Sequence, residues 1–117
     1  MQNLEINMPT WQDQFQQEIG RAQDCRARKN EGQARVCARR AAGVAVREYL
    51  SRRGLRALSS SAYDLLNSLS DLPDLPEGTL QSARTLTLRV NEQFQLPPEA
   101  DLIREAYLLR EQLLPGE

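Results

Sequence analysis

Between Cys37 and Leu50 the chain reads CARRAAGVAVREYL, a run of small apolar residues interrupted by three arginines and a glycine. On a helix, at about 100° per residue, Cys37, Ala38, Ala41, Ala42, Val44, Ala45, Val46 and Tyr49 spread over roughly 200° of the circumference. An apolar arc this broad has to be covered from several sides. The segment therefore predicts a central helix in an all-α fold. Arg39, Arg40, Gly43, Arg47 and Ser51 share the narrow sector that is left.

The flanking sequence supplies the neighbours. Thr10 is a good N-cap, and Trp11, Phe15, Ile19, Ala22 and Cys25 follow at helical spacing, predicting a first helix over about 10–29. Asn30 and Gly32 provide the break. The second helix then runs over about 32–53 and stops at Gly54, which adopts positive φ at little cost. Serines that can cap, followed by Tyr63, Leu65, Leu66 and Leu69, predict a third helix over about 61–70. DLPDLPEG, 71–78, ends it, because proline cannot continue a helix. The carboxylates there, Asp71, Asp74 and Glu77, lack EF-hand spacing and read as a solvated loop. Thr79 can cap a fourth helix over about 79–95, with Leu80, Ala83, Leu86, Val90 and Phe94 on one side. Pro97 and Pro98 divide it from a fifth over about 98–114, carrying Leu102, Ala106, Leu109 and Leu113. No β-branched alternation competes, and 117 residues make a single domain, 1–117.

Composition narrows the function classes. With 40% hydrophobic and 26% charged residues and a net charge of -1, the chain is of the ordinary globular type and its total charge selects no partner. No apolar run reaches the roughly 18–20 residues of a membrane span, and the N-terminus lacks the pattern of a signal peptide, so a cytoplasmic protein is expected. Cys25 and Cys37 match no zinc or redox spacing. They lie six residues either side of Glu31, where they can face each other across the hairpin as reduced thiols. The distribution of charge says more. Residues 21–56 carry eleven basic side chains against three acidic, a local +8, whereas residues 57–117 carry four against ten, a local -6.

The arginine strip is where these readings meet. Arg35 has Glu31, and Arg52 has Glu48, four residues earlier, the favourable orientation for a helical ion pair. Arg39, Arg40 and Arg47 have no acidic residue three or four positions away. Their partners have to come from another helix, another chain or a ligand. Gly43, which costs about 1 kcal/mol inside a helix relative to alanine, marks close approach of another backbone, a dimer crossing being one form of it. Arg39, Arg40, Gly43 and Arg47 are thus the candidate contact residues, for a partner protein or for nucleotide or RNA phosphates. The remaining reading is a strip that is solvated or neutralised by the acidic C-terminal helices.

Catalytic constellations are scarce. The chain has no histidine, which removes Ser-His-Asp and Cys-His arrangements and His-containing metal sites, and it has neither a Walker loop nor GxGxxG. No catalytic residue, metal or cofactor is expected. A nucleic-acid reading has Arg26, Arg28 and Lys29 beside the strip, but only six aromatics and no RNP1 or zinc-finger motif.

CARRAAGVAVREYLSRRG, continuing to SSSAYDLLNSL, and the closing FQLPPEADLIREAYLLREQLL resemble the HEPN (higher eukaryotes and prokaryotes nucleotide-binding) domain family, over most of residues 10–114. The resemblance implies an up-and-down bundle of four to five helices, commonly homodimeric and often paired with a small nucleotidyltransferase in two-gene or toxin-antitoxin systems. Many members are ribonucleases using an arginine with a histidine four to six residues later. This chain lacks that histidine. Where the family pattern has paired glutamines and an acidic residue, it places Arg39, Arg40 and Gly43.

Overall fold

The computed structural model describes residues 9–57, 59–89 and 100–117. These form an all-α fold of five helices: α1 (Trp11–Ala27), α2 (Glu31–Arg52), α3 (Ala62–Ser68), α4 (Thr79–Leu86) and α5 (Leu102–Leu113). A short 3₁₀ turn, Leu69–Asp71, extends α3.

Local chemistry sets the helix ends. At the start of α1, Thr10 Oγ1 accepts from the Asp13 amide at 3.1 Å while the Asp13 carboxylate accepts from the Thr10 amide at 3.2 Å, a reciprocal capping box. The break after α1 falls elsewhere than the glycine suggested. Lys29, at φ 62°, takes the left-handed position, with the Asn30 amide donating to the Cys25 carbonyl at 2.8 Å and Lys29 to Arg26 at 3.0 Å. Asn30 then caps α2 by accepting from the Gln33 amide, so Gly32 lies inside the first turn of α2. At the other end Gly54, at φ 71°, closes α2 as expected, with Leu55 donating to Leu50 and Gly54 to Ser51.

α2 is the central element. It packs against α1, α3, α4 and α5, and buries Ala34, Cys37, Ala38, Ala41, Ala42, Ala45, Val46, Tyr49 and Leu50. Small side chains are what allow this, since each alanine lets a neighbouring helix approach closely from a different direction. Around it, Phe15 and Ile19 of α1, Leu65 and Leu66 of α3, Leu86 of α4, and Leu102 and Leu109 of α5 complete the core. In the loop before α4, Leu72 and Leu75 pack on this core while Asp71, Asp74 and Glu77 stay exposed.

Two boundaries differ from the periodicity. The cap of α4 is Gly78, at φ 87°, and Thr79 is its buried first residue. Left-handed geometry at residue 78 carries the turn, with the Thr79 amide donating to the Pro76 carbonyl at 3.2 Å. α4 also ends at Leu86 rather than near 95. Thr85 and Thr87 donate their hydroxyls back to the Gln81 and Ala83 carbonyls, and the Leu86 carbonyl is taken by Arg39. Val90, Phe94, Pro97 and Pro98 lie outside the described residues. α5 begins at Leu102 rather than 98, because the Asp101 carboxylate caps it by accepting from the Arg104 amide. No helix among the described residues is long and apolar enough to cross a membrane.

Candidate functional site

The four candidate residues, Arg39, Arg40, Gly43 and Arg47, line one groove of about 860 Å³. α2 forms its floor with these residues and Val44. One wall is the N-terminal part of α1, including Trp11, Gln14 and Glu18, and the other is the chain entering α3, with Ser60, Ser61 and Tyr63.

The candidates have different jobs. Arg39 does not share the exposed strip with its neighbour: it is only 9% exposed. One position along a helix is a rotation of about 100°, enough to turn its side chain from the solvent face into the α2–α4 contact. There Nε donates to the Leu86 carbonyl at 2.8 Å and Nη2 to the Leu88 carbonyl at 3.2 Å. These are carbonyls at the C-terminal end of α4, the negative pole of the helix, so a buried cation is held by backbone dipoles without a carboxylate. Its Cζ also lies 5.0 Å from the Tyr63 ring centroid, and Arg89 shares that ring at 5.2 Å. Burial first, and then the charges of Arg35 and Arg89, depress the Arg39 pKa, against a raising contribution from Tyr63.

Gly43 is also accounted for inside the chain. A Cβ built on it would meet the Cα and Cβ of Ala62 at 3.4 Å and Leu65 Cδ1 at 3.6 Å. The backbone that approaches within the chain is the first turn of α3.

Arg40 and Arg47 are exposed and make no ion pair among the described residues. The two carboxylates that line the groove are engaged elsewhere: Glu18 accepts from Arg21 at 2.7 Å, and Glu48 from Arg52 at 2.9 Å. Two exposed guanidiniums thus face a groove whose own carboxylates are paired with other arginines. Such an arrangement can bind an anion.

Pairing elsewhere also departs from the helical rule. Glu31 is taken bidentately by Arg26, at 3.0 and 2.9 Å, rather than by Arg35, and Arg26 reaches on to Asp101 at 3.1 Å. Arg26–Asp101 thus joins the basic part of the chain to the start of α5, and Arg52–Glu117 joins the end of α2 to the C-terminal residues. Among the described residues, Arg40 and Arg47 are not neutralised this way. Cys25 and Cys37 are free thiols, and burial, with Glu18 and Cys25 adding to it, pushes the Cys37 thiol up. Among the described residues no cluster of three or more ligating side chains exists to hold a metal.

Sequence reasoning did not find Trp11, Tyr63 and Ser60 as groove residues. Trp11 belongs to the apolar periodicity of α1 and Tyr63 to that of α3, and only the way these elements flank α2 brings them to one site. No family model, curated protein or solved structure matches this chain.

Proposed function

We propose that this chain is a HEPN-like, non-catalytic binding protein whose groove receives a phosphate-bearing nucleotide or RNA segment, with Arg40 and Arg47 as its phosphate contacts. The observation that carries the reading is the imbalance in the groove: two exposed guanidiniums without carboxylate partners among the described residues, beside glutamates already engaged by Arg21 and Arg52. Arginine is suited to this because its planar fork matches phosphate oxygens two at a time. Arg39 adds a fixed positive charge behind the groove floor. Uridine monophosphate and a short RNA titrated against the wild type and the Arg40→Ala/Arg47→Ala double variant test this. Binding that weakens at least tenfold in the variant, with a shallower salt dependence, is expected. Equal affinity and equal salt slope in the two proteins would remove the proposal.

A second reading is association, as a homodimer or with a nucleotidyltransferase-type partner. What favours it is the outer side of α5, where Tyr107 and Leu108 stay 39% and 38% exposed. Sedimentation at micromolar concentration decides whether copies associate: a dimer weakened by Leu108→Glu supports this reading, and a monomer that co-purifies with no partner opposes it.

A further inference from the structure

Arg47 and Ser60 belong to two concavities at once. Beyond the groove, toward the C-terminal end of α2, a cleft of about 470 Å³ is lined by Arg47, Ser51, Arg56, Ser59 and Ser60. It is more open than the groove and continuous with it through the shared residues. Arg56 is exposed and, like Arg47, makes no ion pair among the described residues. Ser59 is occupied, donating to Asp64 at 2.8 Å and accepting from the Ser61 amide at 3.1 Å. Ser51 and Ser60 make no side-chain hydrogen bond among the described residues, so their hydroxyls remain available.

Resting on the groove reading above, we propose that the ligand is a single-stranded polyanion, a short RNA strand that runs along α2 from Arg40 through Arg47 and on past the end of the helix to Arg56, rather than a lone nucleotide. Arg40 and Arg47 are seven residues apart, two helical turns, and Ser51 one turn further, so they form a single stripe about 16 Å long. A single phosphate group cannot contact both ends of it. A stacked strand rising about 3.4 Å per nucleotide places about five nucleotides along that length. Trp11 and Tyr63 stand on the groove walls with guanidiniums already over their rings, Arg110 and Arg52 on the first and Arg39 and Arg89 on the second, so the path offers a strand charge and hydroxyls along its length.

The test uses the full chain with uridine monophosphate, oligouridylates of two to ten nucleotides, and an octaglutamate peptide as probes. Affinity is expected to rise with length past the roughly five nucleotides that span Arg40 to Ser51 and to level off once the strand reaches Arg56. Arg56→Ala, whose thermal midpoint should match the wild type because the side chain is exposed, is expected to leave monophosphate binding unchanged. For the octamer it should reduce the salt slope by about 0.7 and weaken binding about fivefold at 0.1 M salt. A length-independent affinity together with an octamer unaffected by Arg56→Ala overturns the strand proposal while leaving a mononucleotide groove intact. Absence of binding by every uridylate overturns the groove reading itself. Octaglutamate competing as well as the octamer overturns the nucleic-acid assignment in favour of an acidic peptide.

Discussion

Arg39 and Arg40 are neighbours in sequence with opposite fates. The first is buried with two of its nitrogens on the Leu86 and Leu88 carbonyls, at and just past the end of α4; the second is exposed at the groove. Charged hydrogen bonds contribute about 1.5–3 kcal/mol each, and a helix C-terminus adds favourable dipole energy to a cation. Desolvation of the guanidinium offsets part of this. Arg39→Ala is therefore expected to destabilise the protein by about 2–4 kcal/mol, whereas Arg40→Ala stays within about 0.5 kcal/mol. Urea unfolding of the two variants compares them directly, and equal midpoints would refute the separation of roles. Sequence reasoning placed both on one strip from the helical wheel and left their partners to another helix, another chain or a ligand, without a means of telling the two arginines apart. The partners of Arg39 are backbone carbonyls 47 and 49 positions away, and a backbone carbonyl leaves no mark in a sequence.

Helices were more legible than their ends. Thr10, Asn30, Ser61 and Asp101 each accept from the backbone amide of a residue in the first helical turn, which is why polar residues of these types announce a start. The glycine rule worked at Gly54 and failed at Gly32, since the left-handed position after α1 is filled by Lys29. Lysine there strains its Cβ against the carbonyl, so Lys29→Gly is expected to raise stability by about 0.5–1 kcal/mol, and Gly54→Ala to lower it by about 1 kcal/mol. Thermal midpoints moving in opposite directions check both. The end of α4 was not legible at all. Its last described turn is shaped by threonine hydroxyls folding back on their own helix and by Arg39 arriving from α2, and an apolar periodicity that continues to Val90 and Phe94 registers neither.

For the whole molecule, the basic hairpin and the acidic C-terminal part meet at particular pairs. Arg26 joins the α1–α2 turn to Asp101 at the start of α5, and Arg52 joins the end of α2 to Glu117. At Asp101, burial alone pushes the carboxyl up, but the Arg104 amide and the Arg26 guanidinium together bring it below its ordinary value. A folded pKa below the unfolded value of about 3.9 means that this stability is present above pH 4 and is lost as pH falls through the folded pKa. The carboxylate is nearly half exposed, so its contribution is screened to about 0.5–1 kcal/mol. Asp101→Asn keeps a good cap and removes the charge. Wild type is expected to exceed it by that amount at pH 7 and to match it near pH 2, by urea unfolding at both; a difference that persists at pH 2 would assign the effect to something other than the ion pair.

What the sequence by itself determined is the helical class, the central place of α2 and the arginines that this helix carries. Those follow from apolar periodicity and capping chemistry, which act over three or four residues and so are written locally. Tertiary structure alone decided that Arg39 is a buried fastening for α4, that Gly43 admits Ala62 of the same chain, and that Arg40 and Arg47 face an open groove. Each depends on which distant carbonyl, methyl or carboxylate arrives beside a side chain once the helices pack, and helical spacing carries no information about that.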